Sequence, residues 1–194
     1  MKQLLPEELI QFLQKTDELL TADCKLILIG GAAASLAYGA TRTTTDIDLA
    51  TEPPKHFQAA LELARTETGI SIPVSYVGLH EPPYAFEDRL TVLKSPALNK
   101  LHLYVPERHD LALMKMVRGY ENDIQAIEEI HQTYPLEFEI LIERFMDEMT
   151  QVSGNPSYIR LNFLLMVEAL FNPEEVEEAK RITKKWTALL AQAT

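Results

Sequence analysis

Apolar positions along this chain follow two regimes. Over residues 6–21, Leu9, Ile10, Phe12, Leu13, Leu19 and Leu20 recur with helical period behind acids at Glu7 and Glu8, predicting an amphipathic helix. Residues 26–29, Leu-Ile-Leu-Ile, are apolar throughout, the pattern of a short central strand buried on both faces. Small residues over 32–38 predict a helix whose alanines let it lie close to a sheet, and β-branched residues over 43–50 predict an extended segment. Pro53 and Pro54 mark a break, after which residues 55–66 read as a helix ending near Gly69. Residues 70–77 are β-rich, Glu81-Pro82-Pro83 is a loop, and residues 84–94 and 101–105 predict a strand pair joined by a turn at 95–99.

From residue 107 the pattern is helical throughout. Helices are expected over 107–119, 122–133 and 135–149. A loop at Ser153-Gly154-Asn155-Pro156 follows, then an apolar helix over 157–171 and an amphipathic one opened by Pro173. Strands interleaved with helices and then helices alone predict an α/β (α+β) core over residues 1–106 and a C-terminal helical region over 107–194.

Bulk properties narrow the picture little. With 194 residues, 46% of them hydrophobic and 24% charged, the chain has the make-up of a globular protein. The net charge of −11 argues against a broadly basic nucleic-acid-binding surface. Arg181, Lys184 and Lys185 beside Trp186 form the one compact basic-aromatic cluster, which reads best as a solvated helix face with Trp186 against the core. The single Cys24 excludes an intrachain disulfide, no secretory signal pattern opens the chain, and no apolar run is long enough for a membrane span. A cytoplasmic location is expected.

The chemistry concentrates in residues 26–50. A strand runs into Gly30-Gly31, a small-residue helix follows, and a second extended segment presents Asp46 and Asp48 two positions apart. Period-two alternation sends both carboxylates to one face of a strand. Side by side they repel unless a cation lies between them, and a hard divalent ion, Mg²⁺ or Mn²⁺, completed by substrate phosphates, suits two carboxylates. Free N–H groups at a Gly-Gly turn ahead of a helix favour an anion nearby.

This order, Ile29-Gly30-Gly31 and then Asp46-Ile47-Asp48, resembles the signature of the DNA polymerase β-like nucleotidyltransferase superfamily. Arg42-Thr43-Thr44-Thr45 before Asp46 is similar to the approach seen in its AbiEii/DUF6036-type branch, which contains toxin–antitoxin proteins. Asp110-Leu111-Ala112-Leu113-Met114-Lys115, then Arg118 and Asp123-Ile124, resembles the helix and acidic motif of that branch. The resemblance implies a mixed sheet flanked by helices. It also implies a metal-dependent transfer of a nucleotidyl group from an NTP to an acceptor hydroxyl, with RNA or a tRNA end as acceptor and a cognate antitoxin as partner. Asp46 and Asp48 would be the metal ligands and, with Lys115 and Asp123, the catalytic residues. Gly30, Gly31, Ser35, Arg42 and Lys115 would bind the nucleotide.

Two departures weigh against catalysis. Enzymes of this superfamily usually add a third acid from a neighbouring strand, yet residues 70–79 hold none, and Glu87, Asp88, His102 and His109 are weak substitutes. The position three after Asp123, often acidic in the branch, is Ala126. A catalytically silent nucleotide-binding or protein-interaction module on the same fold is therefore the alternative expectation.

Overall fold

A computed structural model describes residues 5–41, 44–78, 81–94 and 98–193, and they fall into two compact units. The first comprises Met1–His80 with Leu90–Pro106, and the second Glu81–Arg89 with Glu107–Thr194. The first is a mixed α/β unit. It contains α1 (Pro6–Leu19), β1 (Cys24–Ile29), α2 (Gly30–Tyr38), β2 (Ile47–Leu49), α3 (Lys55–Thr68), β3 (Val74–Tyr76), β4 (Thr91–Val92) and β5 (Leu101–Val105). The five strands are ordered β3-β2-β1-β5-β4, so the apolar β1 is central, as its composition requires. It pairs antiparallel with β2 and parallel with β5.

Register sorts the sheet into two unlike faces. Leu26, Leu28, Ile47, Leu49, Leu101, Leu103 and Val105 share one face, and each is at most 2% exposed. Helices α1 and α3 pack against each other, and their buried stripes (Leu9, Phe12 and Leu13; Phe57, Ala60, Leu61 and Ala64) complete this apolar core. The opposite face carries Lys25, Ile27, Ile29, Asp48, Ser75, His102 and Tyr104, of which only Ile29 is fully buried. A long-range contact closes the unit. Asp17, 2% exposed on α1, accepts the backbone N–H groups of Asn99, Lys100 and Leu101 at 2.6–3.0 Å where β5 begins.

The second unit is helical, with α4 (Arg108–Arg118), α5 (Glu121–Thr133), α6 (Phe138–Glu148), α7 (Pro156–Leu170) and α8 (Pro173–Ala193). Phe145 of α6 stacks on Phe163 of α7 at 4.0 Å between ring centroids and lies 4.7 Å from Trp186 of α8. Trp186 is fully buried while Arg181, Lys184 and Lys185 are exposed, the arrangement expected of a solvated helix face.

Two local expectations need correction. The long strand expected over residues 84–94 is only Thr91–Val92; Phe86–Arg89 forms a 3₁₀ turn instead. Tertiary partners override the β propensity there. Glu148 accepts the N–H groups of Tyr84 (backbone O, 3.2 Å) and Ala85 (Oε2, 3.0 Å), and Phe86 is buried. Arg89 forks onto both Asp110 and Glu148 at 2.6–2.9 Å. This segment therefore belongs with the helices. The extended segment expected over 43–50 is likewise shorter, because Thr44 turns the chain ahead of Ile47.

Candidate functional site

Glycine at position 30 is required twice over. Helix α2 begins at Gly30 itself, so the Gly-Gly pair is its first turn rather than a preceding loop. Gly30 has φ +68°, a left-handed conformation that costs a residue with a Cβ about 1–2 kcal/mol. A Cβ built on Gly30 would also stand 2.8 Å from Oδ2 of Asp48, well inside contact distance. The Asp48 carboxylate thus lies directly against the first residue of α2. Register explains how it gets there: Asp48 pairs with Ile29, the residue before Gly30, and its side chain points away from the buried Ile47 and Leu49.

Gly31 makes the neighbouring approach. A Cβ there would meet Thr44 Oγ1 at 3.2 Å. Thr44 is 7% exposed, and its hydroxyl donates to the Asp46 carbonyl at 2.7 Å and lies 3.5 Å from Asp46 Oδ1. Thr44 therefore holds the turn at Asp46, which lies just before β2 rather than on the strand with Asp48 as expected. Asp46 and Asp48 are both half-buried. The structure brings together Gly30, Gly31, Thr44, Asp46 and Asp48. Thr44 was not singled out from the sequence, although it sits inside the Arg42–Thr45 stretch. Its role follows from contact with Gly31, which no local pattern encodes.

Ser35 is buried at 7% exposure within α2, more than one turn beyond the glycines. Arg42 lies outside the described residues. Lys115 and Asp123 belong to the second unit and bind each other: Lys115 Nζ is 3.3 Å from Asp123 Oδ1, which also accepts Arg118 at 2.7 Å. Lys115 and Asp123 are 5% and 4% exposed, so this is a buried pair joining α4 to the start of α5.

Neither position beside Asp48 in the sheet is an acid. Its cross-strand neighbours are Ile29 on one side and Ser75 on the other. Among the described residues, no group of three or more His, Cys, Asp or Glu side chains is placed to hold a metal ion. Glu87 and Asp88 belong to the second unit. His109 is committed there too. Its Nε2 accepts the Glu137 N–H at 2.8 Å, so the proton sits on Nδ1, 2.9 Å from Glu107 Oε1. His102 stays half-buried on the Asp48 face, two residues from Tyr104.

Behind His109 lies a charge network. Asp110, 0% exposed, receives Arg89 and Arg144 at 2.9 Å, and Arg144 also reaches Glu107 at 2.6 Å. Burial pushes the Glu107 carboxyl up, but the hydrogen bond from His109 and the Arg144 guanidinium outweigh it and hold it at about 2. Paired in this way, Asp110 and Glu107 tie α4 to α6 and to Arg89 within the helical unit.

Against known families, residues 7–181 match the model described as "Nucleotidyltransferase of unknown function (DUF6036)". No curated protein matches. Among solved structures, the chain is similar to a nucleotidyltransferase candidate from H. pylori, with 14% identity, 97% of this chain and 96% of that one covered, and a TM-score of 0.39. Among the described residues, no helix is long and apolar enough to cross a membrane.

Proposed function

The chain belongs to the DUF6036 family of nucleotidyltransferases, and we propose that Asp46 and Asp48 hold a divalent cation, Mg²⁺ or Mn²⁺, through which it binds an NTP and transfers its nucleotidyl group. The observation that carries this reading is the Asp48 carboxylate against the left-handed Gly30 at the start of α2. A helix start with free N–H groups favours an anion, and a triphosphate would bring its charge to the same place as two carboxylates. Three anionic groups there repel one another unless a cation joins them. Two hard oxygen donors, both half-buried, are of the kind that Mg²⁺ takes alongside substrate phosphates. When bound, the ion would supply neutralising charge to the phosphates.

The chain's own residues have distinct tasks. Gly30 and Gly31 keep the helix start bare, so that phosphate and carboxylates can approach the backbone. Thr44 fixes the turn that orients Asp46. The acceptor is a hydroxyl; by family resemblance it is RNA or a tRNA end, and the setting is a toxin–antitoxin pair. Lys115, which the resemblance gives to the phosphates, is buried beside Asp123.

One observation favours the alternative, a nucleotide-binding module without turnover. Ser75 and Ile29 flank Asp48, where an acid able to deprotonate the acceptor would be expected. Incubation with α-labelled NTPs, Mg²⁺ or Mn²⁺, and total RNA separates the two. Label transferred to RNA by the wild type and not by Asp48→Asn supports transfer. Metal-dependent NTP binding without any transferred label supports the silent module.

A further inference from the structure

A groove on the far side of the sheet from Asp48 is built for a different ligand. Pro53, Lys55, Gln58, Glu62 and Arg65 line it with Val74, over a floor of Phe57 and Leu61, and its volume is about 470 Å³. Val74 lies on β3, the edge strand of the sheet. The ladder to β2 uses the Pro73 carbonyl, which accepts the Ile47 N–H, and the Val77 N–H, which donates to Leu49. With Ile47 opposite Val74 and Leu49 opposite Tyr76, parallel geometry turns the N–H and C=O groups of Val74 and Tyr76 outward, away from β2. Tyr76 is 52% exposed on the same side as Val74. An open strand edge beside a groove is the template for an added strand.

The charge of the groove selects the occupant. Lys55 is exposed and makes no ion pair among the described residues, an unusual freedom in a chain of net charge −11. Arg65 is held at one arm by Glu62, its neighbour three residues back on α3, and at the other by the Ile72 carbonyl at 2.7 Å. Its Nε is a buried donor with no acceptor. Glu62 is 70% exposed, a weakly held partner of Nη1 that an incoming carboxylate can displace.

We propose that β3 and this groove receive an extended acidic segment of a partner protein, pairing along Val74–Tyr76 and setting a carboxylate against Lys55 and Arg65. Such a strand would be the sixth of the sheet. Alternate side chains would fall beside Ser75, on the Asp48 face and two strand spacings, roughly 10 Å, from Asp48. A partner bound there reaches the margin of the candidate nucleotide site without using any of its residues.

The test is anisotropy of a labelled heptapeptide, Thr-Val-Glu-Val-Glu-Val-Thr, with the intact protein. Three comparison ligands complete it: the lysine-for-glutamate peptide, the same acidic peptide N-methylated at alternate residues, and a single-stranded RNA heptamer. The acidic peptide is expected to bind at least about tenfold more tightly than each of the three, and Lys55→Ala to weaken it about tenfold. Tyr76→Pro removes one outward N–H, which an edge strand tolerates, and is expected to weaken it as well. Metal-dependent NTP binding should be unchanged in both variants, which separates this groove from the candidate nucleotide site. RNA binding as tightly as the acidic peptide, equal affinity for the N-methylated peptide, or undiminished binding by Lys55→Ala would overturn the proposal. So would no acidic-peptide binding at millimolar concentration.

Discussion

Replacing Gly30 by alanine probes the contact on which the candidate site depends. Two costs act at this position. The left-handed φ of +68° costs about 1–2 kcal/mol once a Cβ is present, offset by about 0.4–1 kcal/mol from the stiffer unfolded chain. The new Cβ, 2.8 Å from Asp48 Oδ2, also drives the carboxylate aside. That atom ends a short side chain, so rotation relieves the clash for about 0.5–1.5 kcal/mol rather than unfolding the strand. The expected net loss is about 1–2 kcal/mol, with the carboxylate displaced from the helix start. Gly69 supplies the control. Its φ is also +68°, it lies in the same unit, and a Cβ there meets nothing within 4 Å. Gly69→Ala therefore carries the backbone cost alone. Thermal or urea unfolding of both variants should show similar losses, with Gly30→Ala somewhat the larger. Calorimetric titration of an NTP in Mn²⁺ should show at least about a tenfold loss of affinity in Gly30→Ala and none in Gly69→Ala. Wild-type affinity in Gly30→Ala would refute the placement of Asp48 in the site, as would equal weakening by both variants.

Three further outcomes follow from the second unit. Asp110→Asn removes a fully buried charge shared by Arg89 and Arg144 and should cost about 3 kcal/mol in urea unfolding; a loss under about 1 kcal/mol would contradict the network. Glu107 has its carboxyl lowered from 4.5 to about 2 in the folded state, so its contribution is complete above the unfolded value and lost as pH falls through 4.5 toward 2. Acid unfolding followed by circular dichroism should be less steep in Glu107→Gln, and an unchanged pH profile would argue against the pairing. Lys115→Ala should destabilise this unit by removing a cation from the buried Asp123; a loss under about 0.5 kcal/mol in urea unfolding would contradict the pair.

Part of the candidate site's geometry was legible because its signals are local. The apolar run at 26–29 has the composition of a central strand, and β1 is one. Gly30 and Gly31 are informative because they follow that strand at once, and Asp48 because Ile47 and Leu49 on either side are core residues. What escaped detection depends on partners far along the chain. Asp17 accepts N–H groups more than eighty residues away, with nothing around it to mark it as a cap for β5. Residues 84–94 have strand-like composition, but Arg89 is drawn into the helical unit by Asp110 and Glu148, and those bonds span 21 and 59 residues. The contact of Lys115 Nζ with Asp123, eight residues on across the turn at Gly119, is likewise set by the packing of α4 on α5. Thr44 and Ser75 are visible only through contact and register.

The central claim is that Asp46 and Asp48 join a divalent cation to a nucleotide at the start of α2. Its most direct test is the affinity for a non-hydrolysable NTP analogue, measured by calorimetry with and without Mn²⁺, in the wild type and in Asp48→Asn. Removing one of two mutually repelling carboxylates should leave the fold intact. The account predicts at least about a tenfold gain in affinity from Mn²⁺ in the wild type and almost none in a folded Asp48→Asn protein. Equal affinity with and without metal in the wild type, or the same gain in Asp48→Asn, would contradict it.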